Sequence, residues 1–166
     1  RKVYEGLRPL IEVRDLWFTY PALGGGEGTK ALRGIDLVIY PGEFIALIGQ
    51  NGSGKTTLVK HFNGLIYSTK GEVLVDGIST RNWKKSLLAQ KVGYVFQNPD
   101  HQLCCKTVLE ELKFGPRNVK IPEEEIENRV GEVIKRLDLV DMVNEDPFSL
   151  SKGERQRVAV GSVLTM

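Results

Sequence analysis

The chain has 166 residues, with 23 Lys and Arg against 21 Asp and Glu, a formal net charge of +2, and 41% hydrophobic residues. That length suits one domain with a real core, and so small a charge, with both signs mixed along the chain, falls short of a nucleic-acid footprint. No apolar run approaches membrane-span length and no basic-then-apolar leader opens the chain, so a soluble, cytoplasmic protein able to dock on a membrane protein is expected. Cys104 and Cys105 are adjacent, with no further cysteine to pair with, and read as reduced thiols.

The chain starts at Arg1 without methionine and stops at Met166 within a helical pattern, so a piece of a longer polypeptide is expected. Arg1 to Pro9 shows no period and reads as a linker or tail. Leu10 to Tyr20, with Ile11, Val13 and several aromatics, predicts a strand. Its last aromatic, Tyr20, precedes Pro21; from spacing alone it is equally suited to stacking on an adenine ring or packing on the core. Leu23 to Lys30 is glycine-rich and predicts a loop. Ala31 to Ile39 partly alternates apolar and polar residues, as a half-exposed strand does, so a hairpin-like pair is expected at the start.

Pro41-Gly42 is a turn signal, and Glu43 to Ile48 is a short apolar run that predicts a strand buried on both faces. Gly49 to Thr56 then reads G-Q-N-G-S-G-K-T, the phosphate-cradling spacing G-x-x-x-x-G-K-[ST]. The glycines at 49, 52 and 54 let successive backbone N–H groups turn inward around a phosphate. Residues 55–59 read as the first turn of a helix whose positive end faces the same anion, and the helix should run to about Gly64-Leu65. Lys55 is placed to reach the β- and γ-phosphates and the Thr56 hydroxyl to ligate Mg²⁺. The predicted nucleotide-binding residues are thus Gly49, Gln50, Asn51, Gly52, Ser53, Gly54, Lys55, Thr56 and Thr57.

Gly71 to Gly77 predicts a strand bounded by glycines, Trp83 to Gln90 a short helix, and Val92 to Phe96 a buried strand ended by Pro99. Gln97 follows that strand, where α/β folds bind ligands; the simpler reading is a polar loop starter. From Thr107 the pattern turns helical. Ile126, Val130, Val133, Ile134 and Leu137 form one face of an amphipathic helix, begun by Pro122 and three glutamates that read as a solvated helix start. His61 and His101 read as surface or packing residues. Ser151 with Glu154 is a capping box, and the same helix start offers free N–H groups to an anion.

The order of these elements resembles the nucleotide-binding domain of the ATP-binding cassette ATPases: Tyr20, the P-loop, Gln97 after a strand, a helical insert, then Leu150-Ser151-Lys152-Gly153-Glu154 leading into Arg155-Gln156-Arg157. Val95 to Gln102, with Phe114 to Asn118, is similar to the subfamily that powers energy-coupling-factor and cobalt or nickel uptake. The resemblance implies an α/β P-loop NTPase core with N-terminal antiparallel strands and a helical subdomain insert, the domain being incomplete. It divides the chain into a core over residues 10–97, a helical subdomain over 98–153 and a returning helix over 154–166.

By that resemblance Tyr20 stacks on adenine, Gln97 touches the Mg²⁺ or attacking water and senses a membrane partner, and Ser151 and Gly153 contact the γ-phosphate of ATP bound to a second cassette subunit. The implied cofactors are ATP and Mg²⁺. The implied partners are that second subunit and a transmembrane transporter subunit, with no nucleic acid, at the cytoplasmic face of the membrane. Lys152 replaces the family's usual glycine, and the acidic residues of the Walker B strand and the switch histidine are expected beyond Met166, so normal hydrolysis is not expected of residues 1–166. A regulatory or weakly active cassette, and a soluble cassette ATPase outside transport, are the alternatives.

Overall fold

Val13, Leu16 and Phe18 are buried along the first strand, β1 (Ile11–Tyr20), a spacing that strict alternation would not give. The computed structural model, which describes residues 6–22, 24 and 26–166, explains it by a bulge. Asp15 has φ 42, and the pairing of β1 with β2 (Thr29–Ile39) shifts register between Val13 and Leu16. One extra residue moves the following side chains to the opposite face, returning Leu16 to the core. The bulge is braced: Asp15 N–H donates to Asp36 Oδ1 at 2.9 Å, Trp17 Nε1 donates to Asp15 Oδ1 at 2.6 Å, and Lys70 pairs with Asp15 Oδ2 at 2.8 Å.

β3 (Lys70–Val75) and β4 (Ile78–Ser79) complete a four-stranded sheet in the order β2-β1-β3-β4, with every pairing antiparallel. The expected strand at 71–77 ends earlier because Asp76 (φ 50) and Gly77 (φ 77) form the two-residue hairpin turn into β4. The predicted loop at 23–30 is also shorter, since Thr29 and Lys30 already pair with Tyr20 and Thr19; Leu23, Gly25 and residues 1–5 of the expected tail lie outside the described residues.

Two expected buried strands are absent. Residues 43–48 are irregular, with Phe44 fully exposed and Ile48 94% exposed. Residues 92–96 are likewise irregular. A strand exists only with a hydrogen-bonding neighbour, and none of the described strands pairs with either segment.

The chain divides into two compact units, Arg1–Leu88 and Ala89–Met166. The first holds the sheet and α1 (Lys55–Phe62), which buries Thr57, Leu58, His61 and Phe62. α1 stops before the expected Gly64-Leu65 because Gly64 takes φ 68 and Leu65 N–H bonds back to Lys60 O at 3.1 Å, a left-handed helix cap. α2 (Lys85–Lys91) spans the division.

The second unit packs α3 (Val108–Asn118), α4 (Glu123–Arg136) and α5 (Lys152–Leu164) around Val108, Leu112, Ile126, Val130, Val133, Leu139 and Val158. The amphipathic face read from 126 to 137 is the one α4 buries, with Ile134 and Leu137 partly buried beside it. Gly161 lets α3 and α5 approach closely, because a Cβ there would stand 2.7 Å from Leu112 Cδ2. Pro116 lies inside α3 and lacks the N–H that would bond Leu112 O. The buried Thr165 hydroxyl donates to that carbonyl instead, at 2.9 Å.

Candidate nucleotide-binding site

Tyr40-Pro41-Gly42-Glu43 is a turn with Gly42 at φ 75 and a Glu43 N–H to Tyr40 O bond of 3.3 Å, as Pro-Gly at the centre of a type II turn requires. It delivers the chain into the glycine loop. Gly52 and Gly54 have φ 82 and 91, a region open to glycine at little cost. A Cβ on Gly49 would lie 2.8 Å from Ser53 Oγ, and one on Gly54 would lie 2.7 Å from Ala31 O. The glycines therefore serve both the loop's curvature and its closeness to β2.

Gly54 is the N-cap of α1, and no side chain accepts from the first N–H groups of the helix. The start of α1 is a set of donors with a positive dipole end and no competing side-chain acceptor. Lys55 folds back over the loop: its ammonium donates to Gly49 O and Gln50 O, each at 2.7 Å, and reaches Ser53 Oγ at 3.4 Å. Gln50, Asn51, Gly52, Ser53 and Thr56 are exposed and Thr57 is buried. Glycine-shaped backbone, uncapped helix start, ammonium and exposed hydroxyl together fit a polyphosphate with a bound divalent cation.

Tyr20, at the end of β1, lies against Thr57 of α1. Its hydroxyl is 3.1 Å from Thr57 Oγ1, and the residue is 40% exposed while its ring meets Phe18 edge-on at 4.8 Å. Tyr20 thus packs against the core through Phe18 while remaining partly exposed. His61 is a packing residue: Nδ1 bonds Thr57 O at 2.7 Å, the ring meets Phe18 edge-on, and burial pushes its pKa below the ordinary histidine value. His101 is exposed, in a short 3₁₀ turn at Pro99–His101.

Gln97, Ser151 and Gly153 belong to the second unit and the P-loop to the first. Gln97 is exposed on a bend. Ser151 caps α5: its hydroxyl accepts from Glu154 N–H at 3.4 Å, and its own N–H donates to Glu154 Oε2 at 2.8 Å. These bonds hold the Glu154 carboxyl below its ordinary pKa. Lys152 and Gly153 are exposed in the first turn, and a Cβ on Gly153 would meet open space.

Residue-by-residue reading misses Gln102. Its Oε1 accepts from Phe96 N–H at 3.2 Å, and its Nε2 donates to Ala159 O at 2.7 Å and Ser162 Oγ at 2.9 Å. With Asp100 paired to Arg155 at 3.1 Å, it ties the backbone beside Gln97 to α5. Its partners lie 57 and 60 residues away, and no local pattern marks them.

Among the described residues no helix is long and apolar enough to cross a membrane. The family described as "ABC transporter" matches residues 32–166. A protein of Caldanaerobacter subterraneus subsp. tengcongensis, provisionally assigned as an ABC transporter ATP-binding protein, is 52% identical across 93% of this chain and 26% of its own length. An energy-coupling factor transporter ATP-binding protein of Methanosphaera stadtmanae is 45% identical across 95% of this chain and 55% of its own. The chain thus spans about half the length of that relative and a quarter of the other.

Among solved structures, cbiO1 of Clostridium perfringens, described as part of an ABC transporter complex, superposes with TM-score 0.79 at 36% identity over 95% of this chain and 61% of its own. A dimeric ATP-binding cassette in a post-hydrolysis state with ADP and phosphate superposes with TM-score 0.80 at 30% identity, over 93% and 69%. The α/β fold is that of the cassette ATPases, and the chain belongs to the ABC transporter ATP-binding family.

Proposed function

We propose that the whole protein is the ATP-binding and ATP-hydrolysing subunit of a membrane importer for a metal ion or a vitamin. The observation that carries this reading is the ammonium of Lys55 drawn over Gly49 O and Gln50 O at an uncapped helix start, alongside relatives named for energy-coupling factor transport. Lys55 and the loop N–H groups hold the β- and γ-phosphates, and the exposed face of Tyr20 takes the adenine. Thr56 and Gln97 are the residues of this chain assigned to Mg²⁺, which when bound neutralises charge developing on the transferred phosphoryl group.

Ser151 and Gly153 present the start of α5 to the γ-phosphate of ATP held by a facing cassette subunit, so that nucleotide closes a dimer. Lys152 is compatible with this because it is exposed beside an open Gly153. Gln97 relays the nucleotide state to a transmembrane subunit, which places the protein at the cytoplasmic face of the membrane. Turnover is assigned to the whole protein.

The test is to copurify the whole protein with its membrane partner, reconstitute both in vesicles, and follow ATP-dependent uptake of labelled nickel, cobalt or vitamins. Uptake lost in Lys55→Ala supports the reading. ATP hydrolysis by a protein that captures no membrane subunit overturns the transport role.

A further inference from the structure

Cys104 and Cys105 take no part in the nucleotide chemistry, yet they stand beside a buried acid. One thiol sulfur from each and a carboxylate oxygen of Glu111 lie within 4.8 Å of one another. Glu111 is 3% exposed, and among the described residues it has no ion-pair partner. Its Oε2 accepts the backbone N–H groups of both cysteines, each at 2.8 Å, so the acid holds the dithiol turn against the first turn of α3. A buried carboxylate compensated only by neutral donors is a poor resting place for a charge, and a cation would complete it.

We infer that Cys104, Cys105 and Glu111 form a binding site for a thiophilic divalent cation of the zinc or cadmium type. Two sulfurs and one oxygen suit that class, leaving a fourth position for water or an outside ligand. Tetrahedral zinc would bring two thiolate sulfurs to about 3.8 Å apart, so the two sulfurs need to contract by no more than about 1 Å from the present spread of 4.8 Å or less. Cys104 is exposed and gives the ion its way in, while Cys105 is partly covered.

The balance is simple: one M²⁺ with two thiols and one carboxylate gives a bis-thiolate carboxylate complex and two protons, with no redox change. A metal ion takes each cysteine as its thiolate, so uptake by the two thiols displaces their protons and strengthens as pH rises.

The experiment is titration of the whole protein with Cd²⁺, read by the ultraviolet thiolate-to-cadmium band, with proton release measured in weak buffer and Zn²⁺ affinity measured against a chromophoric chelator. One Cd²⁺ per chain with two protons released is expected, with Cys104→Ser and Cys105→Ser each weakening binding at least ~10-fold and Glu111→Gln weakening it by ~10-fold. Circular dichroism identifies any variant that fails to fold; Cys104→Ser, at an exposed position, keeps the test decisive if Glu111→Gln does. Equal binding by Cys104→Ser, or no thiolate band, overturns the site, and an unchanged affinity in folded Glu111→Gln removes the carboxylate from it.

Discussion

Lys55→Ala tests the phosphate site most directly, because the geometry around the ammonium sets its size. Two of the three ammonium protons are committed to Gly49 O and Gln50 O at 2.7 Å, and the third contact, to Ser53 Oγ at 3.4 Å, is loose. A phosphate oxygen therefore needs to displace only the weak contact. A unit charge pair at ~4 Å in a surface site of effective dielectric ~20 gains ~4 kcal/mol, and surrendering the loose hydrogen bond costs about 1 kcal/mol. The net of ~3 kcal/mol corresponds to about 100-fold in affinity. Titrating the whole protein with a fluorescent non-hydrolysable ATP analogue and Mg²⁺ measures it, with circular dichroism as the control for folding. Lys55→Arg keeps the charge but not the compact three-way donor, so its loss should fall between those of wild type and alanine. A folded Lys55→Ala protein whose affinity falls less than about threefold, ~0.65 kcal/mol, would refute the placement of phosphate over the loop.

Three further outcomes probe the scaffold. Burial lowers the His61 pKa below its ordinary 6.5, so His61 stabilises the fold fully above pH 6.5, where the unfolded chain is also neutral. As pH falls below that value the unfolded state takes up the proton first and stability declines towards the folded pKa. His61→Leu should flatten the fall in Tm between about pH 7 and 5; an unchanged slope places the titration elsewhere. Leu112→Ala empties a fully buried position between α3 and α5 and should cost about 2–5 kcal/mol in urea unfolding, a loss under ~1 kcal/mol contradicting the packing. Gly71→Ala drives a Cβ to 2.0 Å from Asp15 O, whereas Gly77→Ala, at a similar φ, meets nothing within 4 Å. The first should therefore cost more than the ~1 kcal/mol of left-handed strain common to both, and equal losses would deny the contact at the bulge.

Much of the fold is legible where the signal is local. The hairpin of β1 and β2, the helix after the P-loop, the apolar face of α4 and the Ser151 capping box each follow from residues within a few positions of one another. Apolar runs mislead where strand formation depends on a neighbour. Residues 43–48 and 92–96 have the composition of buried strands, but composition supplies no hydrogen-bonding partner, and both are irregular here. The bulge at Asp15 was hidden for a different reason: one residue at positive φ reverses the inward parity, and only the pairing with β2 and β3 reveals the slip.

The site divides along the same line. The P-loop's shape is set by its own glycines, so their spacing declares the loop, and Tyr20 becomes a neighbour of Thr57 only because β1 ends beside α1. In the helical unit, Gln102 and the Asp100–Arg155 pair bind the segment next to Gln97 to the helix that Ser151 caps. Gln97 is exposed and free to meet a partner, yet its backbone neighbour Phe96 is anchored through Gln102 to Ala159 and Ser162. A displacement of that segment must either break these bonds or carry α5 with it. Three hydrogen bonds and one ion pair resist the first course, so the residue proposed to sense the transporter and the helix proposed to meet the second ATP are expected to move as one piece.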